Sequence, residues 1–371
     1  MMTTYGHLSQ VLNDDLNNLK NVEGHFPFKA TEYYLSLIDW SDPSDPLRRI
    51  VIPSQGELAP WGVADPSREH RYTVLPGLEH KYPTTALLLV SDTCASICRY
   101  CFRKRIFQRE VKEKISDLDA VMAYLRSHQE ITNVLLTGGD PLCLPTKRLA
   151  EILRRLREID HVGIIRIGSK TPAFNPHRIL EDPDFSSMLS RFSTPWKRIY
   201  LSVHFDHPRE LTSVSVAALD LMIRSGAILV NQTPLIRGVN DSVAVLEQLF
   251  RQLSFIGVAP YYLFQCRPTM ANLPYSVPIE EGYALFSEAV GRVSGLAKRV
   301  RFVLSHASGK LEMVGMDDAS IHFRYHRSAD TENTGRFLKF RRNPEALWMD
   351  DYEEWKFEES YVQDSSHLGP E

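Results

Sequence analysis

No run of 18 apolar residues occurs in the 371-residue chain, so no membrane-spanning helix is expected. Charge of one sign is lacking too. Lys and Arg number 43 against 46 Asp and Glu, and a net charge of −3 gives no basic field for nucleic acid. The N-terminus, MMTTYGHLSQVLNDDLNNLK, has no apolar core followed by a cleavage site. A secretory peptide is therefore not expected, and the cytoplasm is the expected compartment. Short-period repeats and low-complexity tracts are missing as well. Cysteine is scarce, at five residues, yet three of the five crowd into one loop. The remainder, 43% hydrophobic and 24% charged, is the composition of a globular protein of one large domain or two ordinary ones.

The crowded cysteines are Cys94, Cys98 and Cys101, spaced C-x3-C-x2-C in ALLLVSDTCASICRYCFRKR. Three thiolates can hold three irons of a 4Fe–4S cube and leave the fourth iron open to a small molecule. Electron-storage cubes use four thiolates, so an open iron points to radical chemistry. Disulfides are disfavoured, because no secretory signal precedes the loop and only Cys143 and Cys266 remain as partners. Zinc would want a fourth Cys or His at the usual spacing, and none follows.

The first 80 residues read as a helical N-terminal region joined through extended segments punctuated by Pro43, Pro46, Pro53, Pro60, Pro66 and Pro76. From residue 86, apolar β-branched runs alternate with helical patterns. Strands are expected at 86–91, 133–138, 163–168, 198–203, 227–232 and 260–265, and helices at 118–128, 146–159, 216–226, 243–253 and 282–293. Six β-α units in a row predict an α/β fold with a parallel sheet, as a partial (β/α)6 barrel or, alternatively, a doubly wound sheet. Residues 81–300 form this core. Residues 301–371 form a short C-terminal extension of short strands whose end is expected to fray.

In parallel α/β folds, chemistry gathers at the C-terminal ends of strands. The cysteine loop follows the first strand. Gly138-Gly139-Asp140 follows the second, where glycines let backbone approach a ligand and Asp140 could accept from an ammonium. Ser169 and Lys170 end the third strand, His204 follows the fourth, Gln232 ends the fifth, and Gln265-Cys266-Arg267 end the sixth.

Taken in order, HFPFKATEYYLSLIDWSDPSDPLRRIVIP, PGLEHKYP, the cysteine loop, LLTGGDPL, IRIGSKTP, HFDHPRELT, NQTPLIRGVND and PYYLFQC resemble the lysine 2,3-aminomutase family of radical S-adenosylmethionine (SAM) enzymes. The resemblance runs from about residue 26 to about 310. It implies a radical-SAM barrel and a cluster on Cys94, Cys98 and Cys101 that splits SAM to a 5′-deoxyadenosyl radical. Gly138, Gly139 and Asp140 would take the methionine ammonium. Ser169, His204 and Gln232 would line the cofactor site, and Tyr100 would touch adenine. Pyridoxal phosphate would hold the substrate amine as an imine, across which nitrogen can migrate between radical carbons. Arg103 matches the family arginine that clamps the substrate carboxylate. A reductant such as a flavodoxin or ferredoxin is implied, and association into a homo-oligomer.

Several positions depart from the family pattern. The pyridoxal lysine normally follows a glycine-rich run. Here the segment is FVLSHASGKLEMVG, and Lys310 is the candidate. The phosphate segment keeps Lys81 and Tyr82, but Thr85 stands where a second basic residue is expected. The two carboxylates that hold a lysine ammonium are replaced by Arg267 and by Ser305 or His306. Arg267 inverts the charge, so lysine is expected to be a poor substrate and an acidic or neutral amino acid, glutamate first, a better one. No C-terminal cysteine cluster for zinc is found. Three readings follow. One is an aminomutase acting on an amino acid other than lysine. The second is a radical SAM enzyme that works without pyridoxal phosphate on another amino-acid-like substrate. The third is a non-catalytic iron–sulfur protein, which the motifs on several strands oppose.

Overall fold

The computed structural model describes residues 2–3, 22, 25–107 and 113–353. The polar N-terminal stretch and the end of the acidic, aromatic tail lie outside the described residues. A short pair, β1 (Met2–Thr3) with β2 (Ala30–Thr31), opens the chain. Two short helices follow, Glu32–Leu35 and Pro46–Val51, joined by the extended, proline-rich segments of the N-terminal arm.

One sheet of twelve strands makes the body. Its strands are β3 (Thr73–Leu75), β4 (Leu78–Tyr82), β5 (Thr85–Ser91), β6 (Asn133–Gly138), β7 (Ile164–Ser169), β8 (Ile199–Val203), β9 (Ile228–Leu235), β10 (Ala259–Gln265), β11 (Arg301–His306), β12 (Gly309–Met316), β13 (Ser320–Ser328) and β14 (Phe337–Arg341). They lie side by side in chain order. A doubly wound sheet reverses its order at a switch point; here there is no reversal, so the sheet is singly wound, as a barrel is. β5 to β11 are parallel, and antiparallel strands flank them on both sides. β11 is thus a seventh parallel strand, in a stretch read from sequence as part of the C-terminal extension. Arg301 and Ser305 cut its apolar run to three residues, Phe302 to Leu304, which hides it from a periodicity reading.

Six longer helices pack outside: α1 (Leu118–Ser127), α2 (Thr146–Arg157), α3 (Pro183–Phe192), α4 (Ser213–Arg224), α5 (Val243–Phe255) and α6 (Ile279–Gly291). α3 was not singled out from sequence. It starts where Asp182 accepts from the Asp184 amide, and it buries Phe185, Met188, Leu189 and Phe192 at helical spacing. The pleat divides each strand between two faces. Val134 and Leu136 of β6, and Ile165 and Ile167 of β7, are buried in the core shared with Val121, Leu149, Leu153 and Phe185. Leu135, Thr137 and Arg166 instead line the barrel interior.

The sheet curls far enough for its two flanks to meet through side chains. Lys81 Nζ donates to the His306 carbonyl at 2.7 Å, Tyr72 to that of Ala307 at 2.9 Å, and Ser67 to that of Ser305 at 3.0 Å. The arm also holds the cysteine loop. The Arg99 amide donates to the Ile50 carbonyl at 2.8 Å, and the Ile97 amide to that of Lys29 at 2.8 Å. Between them, Arg99 Nη2 and Glu57 Oε2 form an ion pair at 2.8 Å whose side chains are 1% and 0% exposed. Tyr275 donates to the same carboxylate at 2.9 Å. Breaking one side of such a pair strands the other charge. Glu57→Ala is therefore expected to destabilise the fold by about 3–5 kcal/mol, read from urea unfolding.

Candidate active site

The fifteen site residues expected from sequence line one cavity of about 360 Å³ at the C-terminal ends of the strands. They are Lys81, Tyr82, Cys94, Cys98, Tyr100, Cys101, Arg103, Gly138, Gly139, Asp140, Ser169, His204, Gln232, Arg267 and Lys310. All five cysteines are unpaired. Removal from bulk water pushes the Cys94, Cys98 and Cys101 thiols up, so a bound metal has to displace their protons. Among the described residues, only His80, His128 and Glu130, outside this cavity, bring three ligand atoms within 4.8 Å of one another. The three cysteine thiols do not form so tight a group.

The Gly-Gly-Asp turn is built into the cysteine loop. A Cβ on Gly138 would lie 2.3 Å from the Ser91 carbonyl oxygen, and one on Gly139 would lie 2.6 Å from the Thr93 backbone. Gly138 also has φ +113°. The Gly139 amide donates to Ser91 at 2.7 Å and the Asp140 amide to Thr93 at 2.8 Å. The glycines thus allow close approach to the loop's own backbone. The Asp140 carboxylate is engaged as well. Oδ2 accepts from Ser169 Oγ (2.9 Å) and from the amides of Lys170 (2.9 Å) and Thr171 (2.8 Å), and Oδ1 from that of Leu142 (2.9 Å). Burial raises its pKa against the pull of those bonds.

Behind this turn, Lys170 Nζ reaches Asp206 Oδ2 at 2.9 Å and Glu210 Oε1 at 2.7 Å. Burial alone would depress the ammonium, but the two carboxylates outweigh it and hold the proton on. The Tyr100 hydroxyl donates to Asp206, which fixes the ring in the cavity wall. Burial lowers His204 to about 4, so it is a neutral imidazole. Ser202 Oγ and Asp206 Oδ1 line the cavity without a hydrogen-bond partner among the described residues.

The far wall is strongly basic. Arg103 grips Glu69 with two bonds, Nε to Oε2 at 3.1 Å and Nη2 to Oε1 at 2.9 Å, and Nη1 donates to Thr137 Oγ1 at 3.1 Å. Arg105 reaches the same carboxylate at 2.6 Å, and Arg267 Nη1 lies 3.7 Å from it. Burial would raise Glu69, but Arg103, Arg267 and Arg105 hold it at about 2. Glu79 beside it is pushed up to about 8 by burial and by Glu69. The Arg267 guanidinium stacks 3.7 Å from the centre of the Phe102 ring, and its Nη1 has no hydrogen-bond partner among the described residues. Lys310 Nζ lies 4.1 Å from the centre of the Tyr262 ring. Desolvation, then Arg166, Arg327, Arg267 and Lys81, hold its pKa well below the usual range.

The chain matches the Radical SAM superfamily over residues 88–249. It is 51% identical over 348 residues to a protein of Aquifex aeolicus named "Putative L-lysine 2,3-aminomutase", covering 94% of this chain and 93% of that one. An L-lysine 2,3-aminomutase of Fusobacterium nucleatum is 34% identical, over 89% of this chain and 77% of its own. A glutamate 2,3-aminomutase of Clostridioides difficile is 33% identical, over 75% and 65%. The chain belongs to the radical SAM aminomutase family.

As a family member it is an isomerase whose radical SAM core implies a 4Fe–4S cluster and SAM. The unpaired thiols lining one cavity and the unpartnered polar atoms beside them fit such a group. Several cavity residues were not identified from sequence. Arg166 has a local signal, a charge in the middle of the apolar run GIIRIG. Asp206 has one too, in the motif HFDHP that follows the fourth strand, whereas Glu69, Glu79 and Arg327 have none, since their roles come from neighbours on other strands. The aminomutase loop depends on its glycines, so Gly139→Ala is expected to lower the iron and sulfide bound per chain after anaerobic reconstitution. Gly163→Ala, whose Cβ would meet only the Thr132 carbonyl oxygen at 4.0 Å, is expected to load like the parent.

Proposed function

We propose that this enzyme moves the α-amino group of an acidic or neutral amino acid, glutamate first, to the β-carbon, with pyridoxal phosphate held at Lys310. The observation that carries this reading is the desolvated Lys310 amine, its pKa held well below the usual range, in the same cavity as the three cysteines and among basic side chains suited to an anionic cofactor. A lysine that attacks a carbonyl has to be unprotonated, and desolvation beside other cations is one way to make it so. Pyridoxal phosphate, when bound, supplies an sp² nitrogen that can pass between radical carbons, and the cluster with SAM supplies the radical.

On this reading Cys94, Cys98 and Cys101 hold the cluster. The Asp140 carboxylate is committed to its own turn, so the backbone of Gly138 and Gly139 would meet the SAM ammonium. Neutral His204 and Gln232 would border SAM, and Tyr100 would wall it. Arg103 can serve a substrate carboxylate only by sharing it with Glu69, to which it is hydrogen-bonded, whereas Arg267 Nη1 makes no hydrogen bond among the described residues and lies 3.7 Å from Glu69. That favours a substrate with a second carboxylate over one with an ammonium.

Two outcomes test the reading. Reconstitution with iron, sulfide and pyridoxal phosphate, then borohydride reduction and peptide mapping, is expected to place a pyridoxyl group on Lys310; no label there rejects it. Separately, the loaded enzyme is expected to turn over glutamate faster than lysine. The reverse order, followed by chromatography of the β-amino acids, would reject the assignment of Arg267.

A further inference from the structure

Four basic side chains of the cavity wall have no carboxylate within ion-pair range among the described residues. Lys81, Arg166, Arg327 and Lys310 all line it, and among the described residues none of them forms an ion pair. The two wall carboxylates are committed elsewhere. Glu69 pairs with Arg103 and Arg105, and Glu79 stands 3.9 Å from Arg103. The four instead touch uncharged groups. Lys81 Nζ donates to the His306 carbonyl (2.7 Å), Arg166 Nε to Asn133 Oδ1 (3.0 Å) and Arg327 Nη2 to Thr85 Oγ1 (2.9 Å). Lys310 faces the Tyr262 and Phe264 rings. Converging like charges withdrawn from water are unfavourable unless an anion completes them. A phosphate monoester, with nearly two negative charges and three acceptor oxygens, is such an anion.

Arg327 has a particular place in this group. It comes from β13, at the far side of the sheet from β5 in chain order, and reaches its position only because the flanks meet. Its guanidinium sits 4.3 Å from the centre of the Tyr82 ring and bonds Thr85, the short residue that stands where the family pattern has a basic one. A long side chain at position 85 would occupy the space Arg327 enters. We propose that Arg327 is the second phosphate anchor of this enzyme, binding with Lys81 the phosphate of the pyridoxal phosphate held at Lys310. The cation lost from the start of β5 is thus resupplied from another strand. This rests on the reading of Lys310 above.

The test compares pyridoxal phosphate with pyridoxal, which has the same aldehyde and no phosphate. Reconstituted enzyme is titrated with each, reduced with borohydride, and the label on Lys310 is measured by mass. In Arg327→Met the pyridoxal phosphate needed for half-labelling is expected to rise by about tenfold or more, with pyridoxal unchanged. Arg327→Lys, which keeps the charge and loses the fork, is expected to show a smaller rise, again for the phosphate form alone. It decides the matter if the methionine variant's melting curve shows that it has not folded. Labelling by pyridoxal phosphate that is indifferent to Arg327, or an equal loss for both aldehydes in a folded variant, overturns the assignment of Arg327 and leaves Lys310 standing. No label on Lys310 of the parent enzyme from either aldehyde overturns both.

Discussion

Three strand ends meet at one carboxylate. Asp140 closes β6, its amide holds Thr93 in the loop that follows β5, and its side chain takes the hydroxyl of Ser169 and the amides of Lys170 and Thr171 at the end of β7. A carboxylate withdrawn from water is tolerated only when such donors replace its hydration. Because all its donors are local to the barrel mouth, the cysteine loop cannot move independently of the next two strands. The turn after β7 carries the constraint on through Lys170 to Asp206 and Glu210, and Tyr34 of the arm donates to Glu210 at 2.7 Å. The placement of three metal-binding thiols is therefore a property of four strand ends together.

The buried charges are segregated. Near the cysteines every cation is answered: Lys170 by Asp206 and Glu210, Arg99 by Glu57, Arg103 and Arg105 by Glu69. Around Lys310 they are not. Pairing near the cysteines rigidifies the mouth. Leaving basic groups without ion pairs elsewhere lowers the pKa of the lysine amine and gives an anion a reason to bind there. The two regions share one cavity, as a radical generated at the first has to reach a substrate at the second.

Much of this was legible in the sequence, because strand and helix periods differ and the motifs fall at strand ends. All six expected strands are present within one to three residues of their expected limits. The three cysteines and two glycines of the site could be placed because their loops follow apolar runs. Asp140 was read as a ligand group because nothing local shows that its partners come from β7. Glu69, Glu79 and Arg327 were passed over for the same reason. They lie on the flanks, and only the curl of the sheet brings residue 327 onto residue 85. Arg166 is different. Alternation in β7 sends Ile165 and Ile167 to the helices and the charge inward, so an arginine within an apolar strand is a signal that sequence reading can use.

Glu69 also changes what the substrate wall can recognise. Three guanidiniums converge on one carboxylate, so the wall stays positive after that pairing. The second carboxyl, Glu79, does not offset it near neutral pH, since burial and Glu69 push it up to about 8. Like unit charges about 4 Å apart repel by about 4 kcal/mol at an effective dielectric near 20, several hundredfold in affinity if unrelieved. An ammonium side chain at Arg267 would meet that repulsion, and a carboxylate would reverse its sign. The guanidinium cannot readily turn away, because it is stacked on Phe102. Nor can it lose its proton near neutral pH, since burial lowers it only to about 10. On the proposed reading, discrimination by charge therefore rests on a group that is fixed in both position and protonation.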